Sequence, residues 1–290
     1  MRRLLCIAAS AAFPVLAAAA VHGLTATDLV SLVRASEPAI SPDGRSLVFT
    51  LRETDLIADR GRTDLWLRDL DSNRAPRRLT SNEENDGAAG WAADGSGVFF
   101  LSSRSGSPQV WYLATAGGEA VPVTQLPLDV AGFRASPGSD RLIVAVEVFP
   151  DCSDLECTRK RLDERKAAKR NGQVFDQLFV RHWDRWKDGR ISKLFSIALD
   201  AERKPVGKPV PLTAKLDADI PSKPLGGRAD YAFSPDGTQV VFAARVRGRT
   251  EPWSTNFDIW RVPADGSAVP VNLTADNPAW ANSSTTLTGR

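Results

Sequence analysis

Short runs that are apolar on both alternating faces recur along the chain: SLVFTL at 46, GVFFL at 97, RLIVAV at 141 and QVVFA at 239. A strand of that kind must be covered above and below. A tight turn leads into each run: ISPDG at 40, WAADG at 91, a degraded SPGSD at 136 and FSPDG at 233. In Ser-Pro-Asp-Gly, proline presets φ, Asp suits the next position, and Gly takes a backbone shape that other residues resist. A second element follows each run (DLWLRDL at 64, QVWYLAT at 109, KLFSIAL at 193, DIWRVPADG at 258), and then a closing one (RRLT at 77, VPVT at 121, VPLT at 210, VNLT at 271). Four rounds of one three-part pattern predict small antiparallel sheets stacked face to face. The fold class is all-β, a β-propeller of about four blades that is incomplete. Trp66, Trp111, Trp260 and Phe195 are expected to fill the wedges between neighbouring sheets.

Two stretches break the rhythm. TATDLVSLVRA, residues 25–35, predicts a short amphipathic helix capped by Thr25 or Thr27. Residues 151–190 read as an insertion in the third blade. Its middle, LECTRKRLDERKAAKR, predicts a solvated helix whose charges form a wet face. Its end, QLFVRHWDRWKDGR, is rich in aromatics and carries His182.

Composition adds a compartment. Residues 1–20, MRRLLCIAASAAFPVLAAAA, have the basic start, apolar run and small-residue exit of a secretory signal peptide, and the run is too short to span a membrane. Cleavage near Ala20 leaves a chain expected in the periplasm or secreted, with no membrane span. The 37 basic and 35 acidic residues differ only by Arg2 and Arg3, so the folded part is balanced and nothing points to nucleic acid as a partner. Cys152 and Cys157 remain after cleavage, and an even count in an exported chain favours a disulfide. A metal site is the competing use, but no His or third Cys stands nearby. Neither a cofactor nor a metal is expected.

SPDG…DIW…LT blades together with FPDC…C…VRHWDRW resemble the prolyl oligopeptidase family of serine peptidases, most of all its bacterial dipeptidyl and acylaminoacyl peptidase branch. The resemblance covers residues 25–280. It implies a propeller that restricts access to an α/β-hydrolase domain and selects short peptides. The blade motif alone is shared with non-enzymatic TolB-type propellers, which act as protein-binding modules. No serine here stands in Gly-x-Ser-x-Gly and no His follows residue 182, so no catalytic residue is carried over. The end of the chain, ANSSTTLTGR, reads as a polar tail over 281–290 without order, and suggests a truncated or frameshifted product. Residues 21–280 are then the blades, with an open edge through which copies could self-associate. In the family context Glu147 could pair with a peptide's terminal amine, and Arg181, His182, Trp183 and Trp186 could face the chamber. The plainer alternative has Trp183 and Trp186 packing the insertion onto the blade, with Arg181 and Asp184 in structural pairs.

Overall fold

The computed structural model describes residues 22–168, 172–175, 178–248 and 251–277. The signal-peptide reading of residues 1–20 and the polar tail of 281–290 lie outside these residues. Four antiparallel sheets of four strands follow one another along the chain. The first holds β1 (Arg34–Ile40), β2 (Ser46–Asp55), β3 (Arg60–Asp69) and β4 (Arg77–Arg78). The second holds β5 (Asp86–Trp91), β6 (Gly97–Ser102), β7 (Gln109–Ala114) and β8 (Val121–Pro122). The third pairs β9 (Val130–Ala135) with β10 (Arg141–Val148), and β13 (Ile191–Leu199) with β14 (Pro205–Pro211). A hairpin of β11 (Arg181–His182) and β12 (Arg185–Trp186) lies between β10 and β13. The fourth sheet holds β15 (Tyr231–Phe233), β16 (Gln239–Ala244), β17 (Asp258–Pro263) and β18 (Val271–Asn272). This is the all-β, propeller-like architecture expected from the repeats.

Each round has four strands rather than three. The additional strands, β1, β5, β9 and β15, precede the turns; β1 neighbours β5, β5 neighbours β9, and β9 meets the turn at Arg228–Asp230 that leads into β15. Their sequences, RASEPAI, DGAAGW, VAGFRA and YAF, mix single large apolar residues with small and polar ones and give no continuous apolar run to read. The first helix is also shorter than expected. This helix, α1, spans Ala26–Ser31, is capped by a reciprocal Thr25–Asp28 box, and buries no residue. Residues 34–35 have already entered β1.

The doubly apolar strands are covered on both sides. In β10, Leu142, Val144 and Val146 enter the core between the second and third sheets, while Ile143 and Ala145 enter the core between the third and fourth. All five are fully buried. Val48, Leu65, Val98 and Phe100 form the core between the first two sheets. Trp111, Trp260 and Phe195 pack into these cores on the side of the preceding sheet. Trp66, paired across the strands with Phe49, is half-buried and lies outside all three described cores. It is not the wedge filler the pattern suggested. No described hydrophobic cluster joins the fourth sheet to the first.

The threonine that ends each closing element has the same structural role in every round. Thr80, Thr124, Thr213 and Thr274 accept through Oγ1 from the backbone N–H of Leu65, Val110, Leu194 and Ile259, at 3.0, 2.9, 3.1 and 3.0 Å. In three rounds the threonine also donates to the preceding side chain, Asp64, Gln109 or Asp258. The third round has Lys193 there, 3% exposed, whose Nζ donates to the carbonyls of Thr213 and Leu216. Burial pulls its ammonium down to about 8 from 10.5. Between those values the unfolded chain holds the extra proton, so stability rises with pH there, by about 3 kcal/mol in all. Gln109 shows that a glutamine meets both halves of this clamp, because its Nε2 donates to the Leu126 and Leu128 carbonyls while its Oε1 accepts from Thr124. Lys193→Gln is therefore expected to abolish the alkaline rise and to leave stability at pH 7 equal or higher, as read by thermal melts from pH 7 to 10.5. A loss of more than about 2 kcal/mol at pH 7 would show that the ammonium is needed.

Candidate functional site

The insertion between β10 and β13 begins with Cys152 and Cys157, which form the expected disulfide with Cα atoms 5.5 Å apart. Asp154 caps the helix α2 (Leu155–Ala167), which buries only Leu155 and Thr158 and so presents the wet face the charges predicted. Thr158 Oγ1 accepts from the Phe149 N–H at 3.2 Å, and Arg161 and Arg165 lie over the Phe149 ring. These contacts fix the start of the insertion to the end of β10.

The insertion's second half and the connection from β14 to β15, with residues of β9, β10 and β13, border an open cavity of about 620 Å³. Glu147, His182 and Trp183 line it; Arg181 does not. Arg181 instead lies over the Trp186 ring at 5.7 Å and donates to the Trp183 carbonyl. Trp183 and Trp186 also line the cavity and are 71% and 63% exposed, so they form its rim rather than packing the insertion onto the blade. Trp183 takes a positive φ of 47° at the hairpin tip. No side-chain pairing of Asp184 appears among the described residues.

Glu147, near the end of β10, accepts from Lys223 Nζ and lies 3.4 Å from Arg190 Nη2. Arg190 is also held by Asp188 at 2.7 Å. The carboxylate is thus already neutralised by two cations. The His182 ring lies tilted against Phe179 with centroids 4.8 Å apart, and its pKa is lowered by burial and then by Lys187, which keeps the ring neutral at pH 7. Its Nε2 is buried without a partner.

No sequence motif marks the opposite wall. Residues 219–231, DIPSKPLGGRADY, carry Lys223, Arg228 and Tyr231. Their Pro-Gly punctuation marks a loop but not a site. Arg228 crosses the region where the first strands meet: Nη2 donates to the Ala89 carbonyl at 3.2 Å, Nη1 lies 4.0 Å from Glu37, and the guanidinium sits over Phe133. Its carbonyl receives both Nε and Nη2 of Arg134. Tyr231 is fully buried beside Gly132, and burial holds its phenol above the usual range. Among the described residues no three His, Cys, Asp or Glu side chains converge as metal ligands.

The architecture and the relatives agree. Residues 27–150 match the TolB β-propeller domain model. The chain is 27% identical to dipeptidyl-peptidase 5 of Porphyromonas gingivalis over 82% of its own length and 33% of that protein. It is 26% identical to dipeptidyl-peptidase 5 of Aspergillus fumigatus, over 88% of this chain and 37% of the relative. The chain therefore spans about a third of the length of these curated relatives. Acylaminoacyl peptidase of Pyrococcus horikoshii superposes with a TM-score of 0.56 at 12% identity, over 84% of this chain and 33% of that one. Puromycin hydrolase superposes at 0.53 with 15% identity, over 89% and 33%. The chain is a β-propeller relative of dipeptidyl-peptidase 5, similar in fold to the propeller regions of acylaminoacyl peptidase and puromycin hydrolase.

Proposed function

We propose that this chain is the substrate-gating propeller portion of an exported serine exopeptidase acting on short peptides. The observation that carries the reading is the cavity at the junction of the third sheet, its insertion and the loop before the fourth sheet, in a chain whose relatives are named dipeptidyl peptidases. About 620 Å³ is the size of a small-ligand pocket and suits a peptide of a few residues. The chain's part is admission and orientation, not bond cleavage. No serine of the sequence stands in Gly-x-Ser-x-Gly, and neutral His182 has no hydroxyl partner among the described residues.

Titration of the purified 290-residue chain with peptides of two, four and twenty residues tests this. Binding is expected to weaken at least tenfold for the longest, and dipeptidyl reporter substrates are expected to remain uncleaved. Equal binding of all lengths removes the gating reading. A second reading, a protein-binding module of the TolB type, has the domain match over residues 27–150 in its favour. It predicts no binding of any short peptide. Export is part of the first reading and is checked by finding the chain, shortened by about the first 20 residues, in the periplasmic or medium fraction. No described helix is long and apolar enough to cross a membrane.

A further inference from the structure

We propose that Glu251, a residue of the fourth sheet outside the cavity lining, is a positioning residue that latches the rim hairpin closed. The inference concerns how the rim is held and stands independently of the short-peptide reading above. The hairpin of β11 and β12 has two residues in each strand, and no described residue from 172 to 190 belongs to any of the three hydrophobic cores. Its aromatic contacts, Phe175 with Trp186 and Phe179 with His182, stay within the insertion. A segment with so little buried apolar surface opens at small cost unless polar contacts hold it. Among the described residues, two ion pairs lead out of this half of the insertion. Arg190, beside the start of β13, reaches Glu147 of its own sheet at 3.4 Å. Lys187, one residue past β12, reaches Glu251 at 3.9 Å, and only this pair joins the insertion to the fourth sheet.

Glu251 opens a single helical turn, Glu251–Trp253, in the link between β16 and β17. Its side chain is 7% exposed, and those of Lys187 and Arg245 are each 15% exposed. Arg245 holds Oε1 of Glu251 at 3.5 Å, and is itself fixed by donating to the Ser254 carbonyl at 2.9 Å and by lying over the Phe257 ring. The same Oε1 meets Lys187, so one carboxylate anchored on the fourth sheet neutralises both cations. Shielded from water, the group is little screened by salt, and removing the carboxylate leaves two like charges confronting each other. Lys187 passes its position to the hairpin. Its N–H donates to the Val180 carbonyl at 3.0 Å, and its carbonyl accepts from Gln173 Nε2 at 2.6 Å. A displaced Lys187 therefore carries Trp186, and with it the tip at Trp183, away from the cavity.

Amide hydrogen exchange and the titration of His182 by nuclear magnetic resonance, both in the full chain, test the latch. In Glu251→Gln the Lys187 amide is expected to exchange at least tenfold faster, while amides of β10 and β13 stay within twofold of the parent. His182 supplies a readout that a merely structural role would not move. In the closed hairpin Lys187 and Arg245 both lower its pKa, so losing Glu251 without opening would lower it further. Opening instead takes the ring into water and away from those cations, and its pKa is expected to rise toward the ordinary 6.5. Should Glu251→Gln fail to fold, Lys187→Met removes only the hairpin's arm of the latch, leaves the Glu251–Arg245 pair intact, and is expected to speed exchange at the Val180-bonded amide by the same tenfold. Unchanged exchange at that amide, or an equal rise in β10 and β13, overturns the proposal, as does a His182 pKa in Glu251→Gln that stays or falls.

Discussion

Phe133→Ala is expected to destabilise the protein by about 3–5 kcal/mol, the range for emptying a fully buried aromatic site. Phe133 is wholly buried in the core between the second and third sheets, and it also supports the Arg228 guanidinium 5.5 Å above its ring. The substitution removes packing from two sheets at once and leaves Arg228 without its platform. Against a total of about 5–15 kcal/mol for a typical domain, the loss is severe. Urea denaturation should show a lowered midpoint with little change in slope. Trp253→Ala is the matched control: that ring is 76% exposed, and its removal should fall within about 0.5 kcal/mol of the parent. A loss under 1 kcal/mol for Phe133→Ala would mean the sheets do not depend on this wedge.

Arg104→Met is expected to cost a similar amount, about 3–5 kcal/mol, through a different cause. Arg104 Nη2 pairs with Asp86 at 2.5 Å, and the Asp86 side chain is completely buried. Nε of the same arginine donates to Ser102 Oγ at 2.9 Å, and the guanidinium lies over Phe100 and Trp111 at 5.2 and 5.1 Å. Methionine keeps much of the apolar contact but leaves Asp86 as an uncompensated buried charge. Adding Asp86→Leu should therefore restore part of the stability, because removing both partners costs less than removing one. If the double variant is as unstable as the sum of the two single ones, the pair is not coupled in the way the geometry implies.

The outer strands of each sheet were legible because their chemistry is written locally. The Asp-Gly turns at 43 and 236 close on themselves: Asp43 accepts from Ser41 and the Arg45 N–H, and Asp236 from Ser234 and the Thr238 N–H. Strands such as β10 bury consecutive residues, so an unbroken apolar run was the right sign of a strand covered on both faces. The innermost strands were missed for the converse reason. They lie where the sheets crowd together, and residues such as Gly87, Gly90 and Gly132 suit that crowding without producing any periodic apolar signal. The site was half legible. Glu147, His182 and Trp183 stood beside the cysteines and aromatics that drew attention, and the cavity gathers all three. Arg228 and Tyr231 lie some 45 residues further on, in a loop whose sequence announces only a turn. Their part depends on the third and fourth sheets being neighbours, which no local pattern encodes.

The 42 residues between Val148 and Ile191 enter the third sheet without disturbing it, since β10 and β13 stay in register over eight consecutive pairs. The equivalent link in the fourth sheet has 13 residues. Chain-closure entropy grows so slowly with length that the difference amounts to only about 1 kcal/mol. The border of the cavity can accordingly change in length and sequence at little cost, while the sheet from which it springs keeps its shape.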